Sequence, residues 1–94
     1  MALAAYFHPE GMTLAQFSEI HAKLEAAGEG KNSHRLHHSC FGTDGDLMIY
    51  DIWDSEDAFQ AFGAKLMPML AEMGITVEPH VMPLHKLLQY DADQ

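Results

Sequence analysis

The sequence predicts an α+β fold whose elements follow the order β-α-β-β-α-β. Three observations predict this order: two segments with apolar residues at helical spacing, extended apolar runs on either side of them, and an Asp-Gly turn near the middle of the chain. A chain of 94 residues has room for one modest core, so we expect one domain over residues 1–94.

The first strand and the first helix have clear start and stop signals. Residues 3–8 form a short apolar run before a Pro and a Gly, which is typical of a buried strand. Thr13 and Gln16 have the spacing of a capping box, and Gly28 supplies the conformation in which helices commonly end. We therefore expect a helix over about residues 13–28, with an apolar stripe of Leu14, Phe17, Ile20, His21, Leu24 and Ala27.

The second and third strands are predicted to form a hairpin between residues 33 and 53. Asp44-Gly45 is the strongest short-range signal for a tight turn, and it places Thr43 opposite Asp46. That register brings three further pairs to one face of the sheet: Cys40 with Ile49, His38 with Asp51, and Leu36 with Trp53. A three-residue loop would instead bring His37 to this face, because a one-residue slip reverses every side chain.

The second helix begins after Asp54-Ser55, where a cap residue is followed by acidic side chains that complement the helix dipole. Its apolar stripe consists of Phe59, Phe62, Leu66, Leu70 and Met73, and Gly74 ends it. Pro68 lies within this stripe, so we expect the helix to bend or restart there, because proline removes an amide donor.

The last strand, over residues 76–88, contains Pro79 and Pro83, which turn their missing donors to the same side. We therefore expect this strand at an edge of the sheet. Right-handed crossovers then give the strand order 4-1-3-2 of a four-stranded antiparallel, ferredoxin-like sheet. Two helices cover only one face of such a sheet, so we expect a homodimer in which a second subunit covers the other face.

The net charge of −9, from 14 acidic and 5 basic residues, excludes several classes of partner. The basic residues are scattered, which argues against nucleic acid, and the acidity argues against anionic membrane surfaces. No apolar run is long enough to span a membrane and no secretory signal is visible, so we expect a cytoplasmic protein. The single cysteine, Cys40, excludes an intrachain disulfide and agrees with a reducing compartment.

The seven histidines are the unusual feature of the composition. In the expected hairpin, His38 lies beside Asp51 and Trp53, and a carboxylate that orients a histidine is typical of a general base; the alternative is an ordinary cross-strand pair. His34 and His38 lie ~13 Å apart along a strand, too far to share one metal ion. We expect no metal and no cofactor, and we assign His21 to packing in the helix stripe.

The segment YDIWDSEDAF, residues 50–59, resembles the dimeric α+β barrel superfamily, which includes antibiotic-biosynthesis-monooxygenase-like domains. In these domains a strand ends in Trp and is followed by an acid-Ser step and a helix with Phe. The chain is most similar to small members that also have a His before the hairpin, Leu-Met-Pro in the second helix and Pro-x-His near the end. The matching residues here are His38, Asp51, Trp53, Ser55, Leu66 to Pro68, and Pro83 to His85.

The resemblance implies a homodimer with a pocket between the sheet and the helices of each subunit. Different members oxidise aromatic polyols without a cofactor, cyclise polyketides, degrade haem, or have no known reaction. Gly63 stands where the haem-degrading members have their haem-ligating His, which argues against haem. Cyclase-like members use a His and a Tyr as acid and base, and the counterparts available here are His38, His85, Tyr6 and Tyr50.

The sequence leaves two candidate functions open. In the first, the pocket holds a small, largely apolar, aromatic or polyketide-like molecule. His38 oriented by Asp51 is the general base, His85 or Tyr50 is a second hydrogen-bond donor, and Trp53, Tyr50 and Tyr6 contact the ligand. In the second, the chain is a non-catalytic ligand-binding or assembly module whose histidines tune dimer stability with pH.

Overall fold

The computed structural model of the protein describes residues 1–88. The elements are β1 (Leu3–Phe7), α1 (Leu14–Ala26), β2 (Arg35–Thr43), β3 (Asp46–Trp53), α2 (Glu56–Glu72) and β4 (His80–Pro83). This order, β-α-β-β-α-β, confirms the expected α+β topology.

The four strands form one antiparallel sheet in the order β2-β3-β1-β4, which is the predicted order viewed from the other end. β4 lies at an edge, as its prolines require. It is much shorter than the expected run over residues 76–88, because Pro79 immediately precedes it and Pro83 is its last residue.

Both helices begin at the caps that the sequence predicts. The Thr13 hydroxyl accepts a hydrogen bond from the Gln16 amide in a complete capping box, and Ser55 accepts one from the Ala58 amide. α2 does not restart at Pro68 but continues to Glu72 as one helix. Proline removes a single hydrogen bond there, to the carbonyl four residues earlier, and the neighbouring bonds maintain the helix.

The central hairpin has the expected register near its turn and a different one at its far end. Thr43 pairs with Asp46, and Gly45 has the positive φ, 86°, that a tight Asp-Gly turn requires. The expected pairing of Leu36 with Trp53 is wrong, because a β-bulge between residues 35 and 37 places Arg35 opposite Trp53. A bulge inserts one extra residue and reverses the facing of everything beyond it.

The two helices cover one face of the sheet, called here the inner face. Side chains of the inner face and of both helices form the core, which includes Ala5, Leu47, Trp53, Ile20, Leu24, Phe59, Phe62 and Leu70. The outer face has no covering element within residues 1–88, and Phe41 and Met82 are 47% and 56% exposed there. No helix in this part of the chain is long and apolar enough to cross a membrane.

Candidate active site

A cavity of about 50 Å³ lies between the inner face of the sheet and the two helices. Its walls are mainly apolar, from Phe7, Met12, Phe17, Ile20, Phe62 and Leu66 among others. Four polar side chains converge on it: His21 from α1, Arg35 and His38 from β2, and Asp51 from β3. An apolar cavity with a few convergent polar groups is the usual form of a small-molecule site.

Asp51 and His38 form a close pair in this cavity. They are directly opposed across the β2–β3 ladder, and His38 Nδ1–H donates to Asp51 Oδ1 at 2.6 Å. The Asp51 side chain is only 3% exposed and that of His38 is 22% exposed. A buried carboxylate is stable only with a partner, and this hydrogen bond holds the His38 ring in one orientation.

His21 extends the pair into a chain of three groups. Its Nε2 lies 3.1 Å from His38 Nε2, and its ring packs against Phe17 at a centroid distance of 4.4 Å. Because Asp51 accepts the Nδ1 proton of His38, Nε2 of neutral His38 bears a lone pair. His21 must therefore donate its own Nε2–H, which leaves a lone pair on His21 Nδ1.

The surroundings of His21 keep this ring neutral. Its pKa is lowered from the usual 6.5, first by burial and then by the proximity of His38 and Arg35, with Asp51 and Glu25 acting in the opposite direction. Neutral His21 is the form that donates one hydrogen bond and retains one lone pair. The lowered pKa therefore preserves the Asp51–His38–His21 chain at neutral pH.

Trp53 lies behind the cavity wall and is fully buried. Its indole contacts Phe59 and Phe62 at ring-centroid distances of 5.9 and 4.9 Å, and the Arg35 guanidinium lies 5.8 Å from its ring centroid. Trp53 Nε1 is the one buried side-chain polar atom without a hydrogen-bond partner in residues 1–88. Trp53 therefore supports the residues that line the cavity, from behind Arg35 and Phe62.

The other candidate residues lie away from this chain of polar groups. Tyr6 and Tyr50 pair with each other across β1 and β3, one position out of phase with Asp51, and so belong to the outer face. His85 is exposed in the segment after β4. None of these three residues lines the cavity.

Most of the remaining histidines have surface positions. His8 pairs with Asp46 at 2.8 Å and His34 with Asp54 at 3.0 Å, in both cases near solvent. Within the described chain, no group of three or more His, Cys, Asp or Glu side chains is arranged to hold a metal ion. Cys40 faces the cavity side of β2, where burial raises the pKa of its thiol and keeps it protonated.

No protein-family model matches the sequence, and no curated protein matches it. Solved structures do. A variant of SnoaB, a cofactor-independent oxygenase from Streptomyces nogalater, is similar with a TM-score of 0.63 and 17% identity over 95% of this chain and 97% of that one. A Deinococcus radiodurans protein described as a candidate antibiotic biosynthesis monooxygenase has a TM-score of 0.60 and 10% identity over 98% of this chain and 100% of that one.

The chain has the same ferredoxin-like fold as these solved structures. This confirms the fold that the resemblance implies. The same fold also occurs in the designed protein Foldit4, which has a TM-score of 0.61 and 6% identity over 90% of this chain and 100% of that one. Similarity at this level identifies a backbone, and the activity has to be argued from the side chains of the cavity.

Two cavity residues, His21 and Arg35, were not predicted as site residues. His21 lies at the edge of the apolar stripe of α1, and the sequence does not say which strand residue a helix contacts. Arg35 reaches the inner face only because of the β-bulge. The position of His21 on α1 suits a packing histidine as well as a site histidine, and no residue near Arg35 marks the bulge.

Proposed function

We propose that the protein removes a proton from a small, largely apolar or aromatic molecule bound in the cavity, without a cofactor. The observation that carries this proposal is the Asp51–His38–His21 chain, whose two hydrogen bonds end in an apolar cavity. A histidine oriented by a buried carboxylate is a common general base. The cofactor-independent oxygenase activity of SnoaB supports chemistry of this type.

The hydrogen bonds define a path for the proton. His21 Nδ1 accepts the proton from the ligand, and His21 passes its own Nε2 proton to Nε2 of His38 across 3.1 Å. The positive charge then lies on His38, 2.6 Å from the Asp51 carboxylate. One proton has left the ligand, and one imidazolium has formed. The neighbouring carboxylate stabilises the positive charge of this imidazolium.

The size of the cavity limits the ligand. A volume of about 50 Å³ holds a few water molecules. A one- or two-ring molecule requires α1 and α2 to move apart. Larger polyketide-like molecules would require a larger opening, so we expect smaller aromatic compounds to bind more tightly.

Deuterium exchange tests the proton step directly. β-Tetralone is a two-ring ketone with an acidic CH₂, and its exchange in D₂O without oxygen is followed by proton NMR. We expect the protein to accelerate exchange, and His38→Gln and Asp51→Asn to reduce that acceleration by at least ~100-fold, the lower range for a general base. His34→Gln, in the exposed His34–Asp54 pair, is the matched control and should exchange like the unmodified protein.

Exchange by His38→Gln at the unmodified rate would contradict this function. Oxygen uptake in air, measured with β-tetralone and no added cofactor, then separates two reaction types. Uptake supports an oxygenase, in which the carbanion reacts with O₂. Exchange without uptake supports a cyclase-like acid/base reaction.

We propose further that a second copy covers the outer face of the sheet. This face carries Tyr6 and Tyr50 at its centre and exposed Phe41 and Met82 toward its edges. Analytical ultracentrifugation of Met82→Glu should give a monomer. Met67→Glu, at an exposed methionine of α2, is the matched control and should remain a dimer. A monomeric unmodified protein would contradict the dimer.

The second function, an assembly module sensitive to pH, has one specific observation in its favour. Two histidines lie on the outer face beside the tyrosines: His37 packs edge-on to Tyr50 with ring centroids 5.6 Å apart, and His80 lies 6.3 Å from Tyr6. Histidines at a covered interface are a common basis for pH-sensitive assembly. Dissociation near pH 6, together with no deuterium exchange, would favour the module over the enzyme.

A further inference from the structure

Arg35 is a largely buried cation at the edge of the cavity. Its side chain is 11% exposed, and its guanidinium lies 5.3 Å from the Phe62 ring centroid and 5.8 Å from that of Trp53. These aromatic contacts orient the guanidinium plane. Arg35 also borders a shallow surface depression formed with residues 30–33, so it lies between the cavity and solvent.

The guanidinium has no hydrogen-bond partner among residues 1–88. The carboxylate oxygen paired with it, Asp51 Oδ2, lies 3.9 Å from Nη1, which is beyond hydrogen-bond distance. The other oxygen, Asp51 Oδ1, already accepts the proton of His38 Nδ1. Arginine has five N–H donors in a fixed fork. No Arg35 nitrogen is fully buried without a partner, so the donors that lack one are accessible from solvent or from the cavity. The guanidinium of Arg35 therefore has N–H donors that no acceptor among residues 1–88 uses.

The charges of the chain make these free N–H donors of Arg35 the place where an anion binds. The chain carries −9 overall, so an anion is repelled unless a local cation attracts it. Arg35 is that cation: its charge is shared with the Asp51 carboxylate at 3.9 Å, and the N–H donors that Asp51 does not reach are available to an anion. An anion near Arg35 would also face the apolar walls of the cavity, where charge-assisted hydrogen bonds are strong.

We propose that Arg35 binds an oxyanion of the ligand, so that the ligand class is a small apolar ring that bears a carboxylate or an acidic hydroxyl group. The role in substrate choice rests on the proposed function, whereas anion binding itself does not. In the proton step, an enolate or phenolate oxygen at Arg35 would have its negative charge stabilised while the proton moves to the histidines. Arg35 is then the residue that decides which apolar molecules are bound.

Benzoate and benzamide are matched probes of this site, since they have the same ring and nearly the same shape but differ in charge. The chain has one tryptophan, so its indole N–H gives one NMR signal, from a residue in contact with Arg35. Titrating each probe while following this signal gives two dissociation constants. We expect benzoate to bind about ten- to one-hundred-fold more tightly than benzamide, the range for a hydrogen bond to a charged group.

Arg35→Gln should abolish this preference, because benzoate then loses its charge-assisted hydrogen bonds and binds about as weakly as benzamide. Lys31→Gln removes the same charge from an exposed position beside the surface depression and should retain the preference. Partial unfolding of a variant weakens both probes equally, so the ratio of the two constants remains interpretable. Arg35→Lys keeps the charge without the fork and should retain an intermediate preference.

Two outcomes would overturn the assignment: equal binding of benzoate and benzamide by the unmodified protein, or a preference that persists in Arg35→Gln. His38→Gln separates this failure from a failure of the proposed function. If Arg35 binds the anion and the proposed base is wrong, His38→Gln alters neither deuterium exchange nor the benzoate preference. If both are right, His38→Gln reduces the acceleration of exchange by at least ~100-fold and still prefers benzoate.

Discussion

Replacing Asp51 with Asn is expected to destabilise the protein far more than the same change at Asp54. The two aspartates each pair with a histidine, Asp51 with His38 at 2.6 Å and Asp54 with His34 at 3.0 Å. The Asp51 side chain is 3% exposed, whereas that of Asp54 is 40% exposed. The pair of variants therefore compares a buried Asp–His pair, which also has Arg35 nearby, with an exposed one.

The magnitude follows from the contacts of each carboxylate. A hydrogen bond to a charged group contributes about 1.5–3 kcal/mol, and Asp51→Asn weakens one of these. Arg35 adds a Coulomb attraction of about 4 kcal/mol at 3.9 Å in an effective dielectric of about 20, much of which the desolvation of both ions offsets. We expect a loss of about 2–4 kcal/mol for Asp51→Asn and below about 1 kcal/mol for Asp54→Asn.

Urea unfolding followed by the fluorescence of Trp53 measures both losses at one fixed protein concentration. With an m value of about 1–1.5 kcal/mol/M, the unfolding midpoint of Asp51→Asn should fall by about 2 M. A midpoint for Asp51→Asn within the range of Asp54→Asn would refute the reasoning. It would mean that the contacts of Asp51 with His38 and Arg35 contribute little to the folded state, and the proposal of an oriented base would then lack support.

Three further predictions concern turns, caps and pH. Gly45 has a φ of 86°, so Gly45→Ala should lower the free energy of unfolding by about 1 kcal/mol or more. Gly63 lies in α2 with open space around an added Cβ, so Gly63→Ala should raise this free energy by about 0.5–1 kcal/mol. Urea titration measures both changes. Ser55→Ala removes the N-cap of α2 and should cost about 1 kcal/mol in the same assay. Burial lowers the pKa of His21 in the folded protein below 6.5, so the unfolded chain binds a proton at His21 more readily and the folded state loses stability as the pH falls below about 6.5. Thermal melting of His21→Gln should therefore show a smaller loss of stability between pH 7 and 5. An equal loss would contradict the prediction.

The part of the site near the hairpin turn could be predicted from the sequence. Asp44-Gly45 selects a two-residue turn, and the turn fixes the register of every pair up to the first irregularity. His38 opposite Asp51 lies within that stretch. The edge position of β4 could be predicted for a similar reason, because proline excludes a strand from the middle of a sheet.

The contacts between layers could not be predicted in this way. The 3.1 Å contact of His21 with His38 depends on how α1 sits on the sheet, and the periodicity of α1 specifies its buried face only within about one residue on either side. His21 lies next to buried Ile20, and the same pattern suits a packing histidine or a site histidine. The packing of α1 on the sheet decides between these two roles of His21, and the local sequence pattern does not determine that packing.

The bulge in β2 connects the fold to the chemistry of the cavity. Residues 35 and 38 are three apart, and strict alternation along a strand would place them on opposite faces. The irregularity between positions 35 and 37 brings Arg35 to the inner face with His38, where it lies over Trp53 and faces Asp51. Without it, the cavity would contain a carboxylate and two histidines but no fixed cation. The same proton abstraction would then leave an anion with no positively charged group except the new imidazolium, so the bulge favours ligands that become negative when they react.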